Sequence, residues 1–244
     1  MKILWVVLSI VIVLVMGTIV IGLIYLGPIV KLGIEDFGPQ IVGVPVTVDN
    51  VNVSLISGSA TIQGLVVANP KGFSNPDAIK IGRMSITLDA FSVTSNKILI
   101  HSVRIESPEI IFEGRLKGSN LSKLLSNVNS APSSASPSTT VAGTSSPPGK
   151  PAPKIEIDDF LITNAKVDVG ISGMMSKVLP LPEIHLTNLG KGSGGLTPAE
   201  LTKTILRTLL TDTIELVAQS LGDIKNTLQG LTGSLTSSLG NLLH

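Results

Sequence analysis

The chain has 244 residues, no cysteine, and 18 Lys and Arg against 17 Asp and Glu, a formal net charge of +1. With aromatics at 3%, it lacks the basic field and stacking rings of a nucleic-acid binder. The missing cysteines exclude disulfides, thiolate catalysis and Cys-ligated metal, and three histidines offer little for a His-rich metal site. A hydrophobic fraction of 43% and a mean hydropathy of +0.47 point to a membrane protein rather than a disordered one.

Residues 1–27 read as a transmembrane anchor. Ile3 to Leu26 carries no charge over 24 residues, with Ser9 and Thr18 its only serine and threonine. At about 1.5 Å per residue it would span about 36 Å, enough for a hydrocarbon core of about 30 Å. A cleaved signal peptide would have an apolar region of about 7–15 residues and a small-residue cleavage site. Tyr25-Leu26-Gly27 is not such a site. Lys2 before the segment and Lys31 after it, the latter followed by Glu35 and Asp36, favour an N-terminus inside and residues 28–244 outside the cytoplasm.

The middle of the chain repeats one pattern, Φ-x-Φ-x-x-Φ-x-Φ with Φ apolar. It occurs at Val46-Val48-Val51-Val53, Ala60-Ile62-Leu65-Val67, Ile79-Ile81-Met84-Ile86, Ile98-Ile100-Val103-Ile105 and Ile155-Ile157-Phe160-Ile162, with a partial copy at Ile184-Leu186-Leu189. Of the 20 intervening positions only Val66, Leu99 and Leu161 are apolar. Each half is a period-2 strand with one apolar face, and the extra residue between halves would throw the second half onto the wrong face unless absorbed. A bulge does that. The expected bulges are Asp49-Asn50, Gln63-Gly64, Gly82-Arg83, His101-Ser102 and Asp158-Asp159. Ser107-Pro108 and Asn164-Ala165 read as turns leading into hairpin partners, Ile110-Phe112 and Val167-Val169-Ile171. The expected fold is mainly β with α. It comprises an N-terminal transmembrane helix, a curved antiparallel bulged sheet of roughly eight to ten strands forming a groove, and C-terminal amphipathic helices.

Residues 28–128 would form the N-terminal part of the groove and 154–196 its C-terminal part. Between them, 129–153 draws 22 of its 25 residues from Ser, Thr, Pro, Ala and Gly, the composition of a disordered insertion. The tail, 197–244, opens with Thr197-Pro198-Ala199-Glu200, a capping box with Pro at the first helical position. A helix to about Leu221 would carry Leu201, Ile205, Leu209, Ile214, Leu216 and Val217 on its apolar face. A second stretch follows with Leu221, Ile224, Leu228, Leu231, Leu235, Leu239 and Leu242, weakened by Gly222, Gly230, Gly233 and Gly240. Its expected place is a lid on the sheet, with membrane contact and self-association as alternatives.

Candidates for chemistry all have plainer readings. Gly190-Lys191-Gly192-Ser193-Gly194-Gly195 precedes a helix but does not match a phosphate-loop signature and reads as a connector. Glu156, Asp158 and Asp159 fall on polar strand positions, as do His101 and His185, each alone. Asn52-Val53-Ser54 and Asn120-Leu121-Ser122 match the glycosylation sequon. No catalytic residue, cofactor or metal is expected.

One resemblance stands out. Gly43-Val44-Pro45-Val46-Thr47-Val48, Gly58-Ser59-Ala60-Thr61-Ile62-Gln63-Gly64-Leu65 and Asn69-Pro70-Lys71-Gly72-Phe73 follow the anchor in order. Ile98 to Pro108, Glu109 to Glu113, and Gly118-Ser119-Asn120-Leu121-Ser122-Lys123-Leu124-Leu125 complete the series. This order resembles the start of AsmA-like proteins of Gram-negative bacteria, over about residues 1–128 and more loosely 154–221. The Asn-Pro turn and the Asn-Leu-x-x-Leu-Leu helix are its most specific parts.

The resemblance implies an inner-membrane, single-pass protein with its bulk in the periplasm. It further implies a role in outer-membrane biogenesis or envelope lipid homeostasis, and phospholipid and envelope proteins as partners. It offers no catalytic residue. About eight strands at roughly 4.8 Å make only about 38 Å of sheet, too short for one copy to bridge a periplasm. Ile86, Leu88, Ile98, Ile100, Ile110 and Phe112 are the expected exposed, lipid-facing stretch. The alternatives are a scaffolding module whose sheet is closed by its own C-terminal helices, and an anchored β-sandwich resembling the late-embryogenesis-abundant type.

Overall fold

The computed structural model describes residues 26–115, 118–131, 153–171 and 177–242. They form a mixed α/β fold, a curled open sheet, or half-barrel, with helices packed on it. A helix over residues 26–42 (α1) leads into β1 (Val46–Thr47), β2 (Asn50–Ser54), β3 (Ser59–Ala68) and β4 (Asp77–Leu88). There follow β5 (Lys97–Glu106), β6 (Glu109–Arg115), β7 (Gly118–Ser119) and α2 (Asn120–Ser130). The chain ends with β8 (Lys154–Thr163), β9 (Lys166–Ile171), β10 (Lys177–Pro180), β11 (Ile184–Leu189) and α3 (Pro198–Leu242). Of the expected anchor, 1–27, residues 1–25 lie outside the described residues, as do residues 132–152 of the Ser/Pro-rich segment. Among the described residues no helix is long and apolar enough to cross a membrane.

The extra residues of the first three Φ units lie at one level of the sheet. Asn50 pairs with Gln63 and Thr47 with Val66, so Asp49 lies opposite Gly64. Gln63↔Arg83 and Leu65↔Ile81 set Gly64 opposite Gly82. Arg83↔Glu106 and Lys80↔Glu109 carry the same line to Ser107, and Glu106↔Thr163 and Glu109↔Lys166 carry it to Asn164. Gly64, Ser107 and Asn164 have φ of 62°, 51° and 54°. At these three positions one left-handed residue resets the alternation, so the apolar positions on both sides of it share a face. The sheet is thus creased along one row, Asp49–Gly64–Gly82–Ser107–Asn164. A second row runs through His101, Asp158 and Asn188, the last with φ 54°.

Because facing strands take the extra residue together, a crease produces no register shift. This corrects four of the five expected bulges; the one at His101-Ser102 is present against β4, where Thr87↔Ser102 is followed by Leu88↔Ile100 and His101 is the extra residue. It shifts the register between Thr87 and Leu88 because β5 has the second crease and β4 does not, and a further shift, not expected, falls between Val67 and Ala68. Three units start 19 residues apart, at Ala60, Ile79 and Ile98, but this spacing reflects no structural repeat, since the unit at 79 bends at the first row and that at 98 at the second.

Two further expectations are corrected. Ile110-Phe112 and Val167-Ile171 are not hairpin partners of the strands before them. β5 and β6 both run antiparallel to β4 in one continuous register, Met84↔Ile105 and Ile79↔Ile110. Nor is the sheet wholly antiparallel. β8 and β9 repeat β5 and β6 in parallel at a constant offset of 57 residues, Lys97↔Lys154 and Glu109↔Lys166. The chain returns to the same end of the sheet through α2 and the residues after it, the long crossover a parallel pair requires. The ladder continues across the crease, with Ser107 N–H donating to Thr163 O at 2.8 Å and Lys166 N–H to Pro108 O at 2.9 Å.

Most Φ side chains meet the helices in one main core, and Val48, Val51 and Ile62 form a second, smaller cluster. Leu121, Leu124 and Val128 of α2 and Leu206, Leu209, Leu210 and Val217 of α3 are buried with Ile110, Phe112, Ile157, Phe160, Val167 and Val169. The α3 face is rotated from expectation: Ile214 is exposed while Thr213 is fully buried. α3 is also one helix rather than two, for its glycines cost helix stability without the backbone clash a proline would bring. Its start is as expected: Thr197 N–H donates to Glu200 Oε2 at 2.8 Å and Glu200 N–H to Thr197 Oγ1 at 3.2 Å.

Gly64→Ala tests the crease. A Cβ there would be held at positive φ and would strike the Asp49 carboxylate. Urea unfolding should show a loss of at least about 1–2 kcal/mol from the backbone conformation alone, partly recovered by adding Asp49→Ala. A neutral Gly64→Ala would contradict the account.

Candidate functional site

The six residues expected to face lipid divide into two groups on either side of the first crease. Ile86 lies opposite Val103, Leu88 opposite Ile100, and Ile98 and Ile100 lie beside Ile155 and Ile157. These four are half-buried. Ile110 and Phe112 are 1% and 8% exposed, so the expectation of an exposed stretch fails for them. The reason is α2, which packs on β6 and drives its leucines against that part of the sheet. The half-buried Φ residues instead form a strip along the middle strands: Leu65 on β3, Ile79, Ile81, Met84, Ile86 and Leu88 on β4, and Ile98 and Ile100 on β5. At one side Ile34 of α1, with Leu65, Met84 and Ile86, packs against the buried cluster of Val48, Val51 and Ile62, and at the other α3 packs on β8 and β11.

The two most specific sequence motifs meet in a buried polar network. Asn120, at the start of the Asn-Leu-x-x-Leu-Leu helix, is fully buried. Its Nδ2 donates to Asn69 Oδ1 at 2.9 Å, and Asn69 belongs to the Asn-Pro turn. The same Nδ2 donates to Ile111 O at 2.6 Å, and Asn120 Oδ1 accepts from Glu113 N–H at 3.0 Å. The side-chain amide thereby continues the β6 ladder where β4 has ended. The Glu113 carboxylate, 6% exposed, accepts from Asn69 Nδ2 at 2.9 Å, Ser74 N–H at 2.8 Å and Asn75 N–H at 2.7 Å. Sequence reading singled out both asparagines and passed over the role of Glu113. In this fold Asn120 is a structural amide, which removes Asn120-Leu121-Ser122 as a glycosylation site. Asn120→Ala would orphan two buried backbone groups, Ile111 O and Glu113 N–H, each costing about 1–3 kcal/mol, and leave the half-buried Asn69 Oδ1 without this donor. Asn69→Ala and Asn120→Ala combined should be non-additive in urea unfolding, with a coupling of about 0.5–3 kcal/mol; strict additivity would contradict a shared network.

The opposite face carries a charge ladder. His101 and His185 do not stand alone as expected: β5, β8 and β11 bring His101 Nδ1 to 3.2 Å from Asp158 and His185 Nε2 to 2.5 Å from Asp159. Arg104 also pairs with Asp159, and Lys97 Nζ reaches Glu156 at 2.8 Å. Among the described residues no cluster of three or more His, Asp or Glu could hold a metal ion. The hydrogen bond from His185, then that from Arg104, lowers the Asp159 pKa below its ordinary value. A lowered carboxylate contributes stability above the ordinary Asp range and loses it as pH falls through the folded pKa, below about 4. Asp159→Asn should therefore remove a small part of the acid-induced loss of melting temperature in that window and change nothing at neutral pH beyond the lost pairs. An unchanged acid limb would show the pairs carry no linkage.

The described residues include one cleft of about 420 Å³, lined by Lys71, Phe73, Gly118, Ser119, Ser122, Lys123 and Ser126. It lies at the N-terminus of α2, away from the apolar strip. Ser119 and Ser122 already cap that helix reciprocally, Ser122 N–H to Ser119 Oγ at 3.1 Å and Ser119 N–H to Ser122 Oγ at 2.8 Å. The glycine-rich segment is a strand-to-helix connector, closed by Gly195 N–H to Gly190 O at 3.1 Å. Gly195 has φ 94° and packs against Lys154, which suits glycine alone.

Compared with known proteins, the chain matches no family model and shows no significant match to a curated protein or a solved structure.

Proposed function

We propose that the chain is a non-enzymatic, membrane-anchored protein of the bacterial envelope, AsmA-like in plan, that holds lipid acyl chains on the apolar face of its half-barrel. In this reading the N-terminal segment anchors it in the inner membrane, the sheet lies in the periplasm, and its work belongs to outer-membrane biogenesis or envelope lipid homeostasis. The observation that carries the reading is the strip of half-buried apolar residues on β4 and β5, between strands covered by α1 and strands covered by α3. An aliphatic strip of this kind is suited to acyl chains, since a charged or amide ligand would lose its hydration there without finding hydrogen bonds. The strip ends at Leu88 and Ile98, which belong to neither buried cluster.

A second reading, a scaffold closed by its own helices, is favoured by the burial of Ile110 and Phe112 beneath α2. Lipid co-purifying with the full-length protein, measured by mass spectrometry, separates the two. Leu88→Glu with Ile98→Glu should remove bound lipid and leave the melting temperature nearly unchanged. Phe112→Glu should instead unfold the domain, because it buries a charge in the core. Absence of stoichiometric lipid from the unsubstituted protein would sink the lipid reading and leave the scaffold.

A further inference from the structure

Eight large apolar side chains stand exposed among the described residues, and six of them fall in two places. Ile29, Val30 and Leu32 lie in the first turns of α1. Ile56, Phe91 and Val93, at 92%, 91% and 42% exposure, lie on the β2–β3 turn and the β4–β5 connection. These two loops are neighbours, for Ser59 pairs with Thr87 and Leu88 N–H donates to Gly58 O at 2.7 Å. Scattered exposed apolar residues need no explanation; two adjacent tips, each with an almost fully exposed Ile or Phe, do.

Phe91 is held outward by its own loop. Asp89 Oδ1 accepts from Phe91 N–H at 2.8 Å, a 3₁₀ turn covers Ser92–Thr94, and Ser92 Oγ accepts from Leu99 N–H at 2.9 Å. The polar groups of the loop turn back onto the sheet and the ring turns away from it. At the same end of the sheet Lys154 is exposed, with its N–H bonded to Asn96 O at 2.9 Å, and Lys191 is exposed on the glycine-rich connector.

The direction of α1 shows what these tips face. Gly27 packs on the backbone of Val51 and Asn52, Lys31 Nζ donates to Asp49 O at 3.0 Å, Glu35 accepts from Val48 N–H at 3.0 Å, and Gly38 packs on Val46. α1 therefore runs antiparallel to β1 and β2. The N-terminus of α1 lies at the end of the sheet toward which β2 runs, the end that carries Ile56 and Phe91. From Val51 to Ile56 the strand and turn extend up to about 16 Å beyond the level of Gly27. The segment that leads into α1, Ile3 to Leu26, is the one without charge.

We propose that the Ile56 and Phe91 tips are a second membrane contact, inserting into the interfacial zone of the same bilayer that the N-terminal segment enters. The inference rests on the anchor reading above. A bilayer that receives Ile3 to Leu26 as a continuation of α1 reaches the tips. Burial of Ile56, Phe91 and Val93 at the boundary of headgroups and acyl chains, about 5–10 Å deep, then covers the exposed apolar residues of both tips. Lys154 and Lys191 lie where anionic headgroups would be. Leu88 and Ile98 flank the Phe91 loop, so this contact opens the end of the apolar strip directly onto the bilayer.

The absence of cysteine makes the full chain a ready background for single labels. Ser57→Cys and Thr94→Cys place a bimane fluorophore beside Ile56 and Phe91 while leaving both in place. Thr18→Cys reports on the anchor, and Lys71→Cys on the exposed β3–β4 loop beyond the opposite end of β3. Each labelled full-length protein is reconstituted into phosphatidylethanolamine–phosphatidylglycerol vesicles with brominated acyl chains. Bimane at 18, 57 and 94 should lose most of its fluorescence, and bimane at 71 should keep it. Adding Ile56→Asp and Phe91→Asp should restore fluorescence at 57 and 94, leave 18 quenched, and not shift the melting temperature. Quenching at 18 with 57 and 94 as bright as 71 would overturn the tip contact and leave the anchor standing. Full fluorescence at 18 would overturn the anchor reading, and the tip contact with it.

Discussion

The constraint on which the rest of the structure depends is that neighbouring strands must change their alternation at the same level. Asp49, Gly64, Gly82, Ser107 and Asn164 lie in one row across the sheet, and three of them occupy the left-handed region. If one strand alone carried the extra residue, its far half would turn its apolar side chains to water. Because the strands carry it together, the hydrogen-bond ladder passes through the row and one apolar face continues across it. Where the second row ends between β5 and β4, the mismatch surfaces as a register shift.

The crease creates a problem at β6 that the polar network answers. β4 pairs with β6 only at Ile79↔Ile110 and Lys80↔Glu109, leaving the backbone at Ile111 and Glu113 without a strand on that side. Asn120 supplies the missing donor and acceptor from its side chain, and Asn69 and Glu113 fix the amide in place. Buried polar groups are costly when partly satisfied and specifying when fully satisfied. Here the network ties the β3–β4 loop, the β6 edge and the start of α2 to one another, which sets where α2 lies on the sheet.

That placement divides the apolar face into regions with different consequences. Under α2 and α3 the Φ side chains are core, and substitution there is a matter of stability. Along β4 and β5 they are only half covered, and substitution there bears on what the face holds. The lipid proposal and the membrane-contact proposal both concern this less covered region, the first through Leu88 and Ile98 and the second through the adjoining tips.

Much of this was legible in the residues. The Φ-x-Φ-x-x-Φ-x-Φ units named the apolar face and its break points, because period 2 is a local property of an extended backbone. The capping box at Thr197–Glu200 was legible for the same reason, its partners being three residues apart. The composition of 129–153 likewise marked the boundary between the two sets of strands. The pairing of strands was not legible: both a hairpin and a parallel return satisfy the same alternation, and only the path through α2 selected the second. Burial of Ile110 and Phe112, exposure of Ile214, and the pairing of His101 and His185 with Asp158 and Asp159 depend on contacts between residues far apart in the chain. Asn69 and Asn120 stood out in the sequence as motif residues, but their chemistry required Glu113 and a strand edge that exist only once the sheet has formed. The sequence by itself determined which face of each strand is apolar and where each strand breaks. Tertiary structure alone decided which strands are neighbours and how much of that face the helices cover, because those are properties of packing between distant segments.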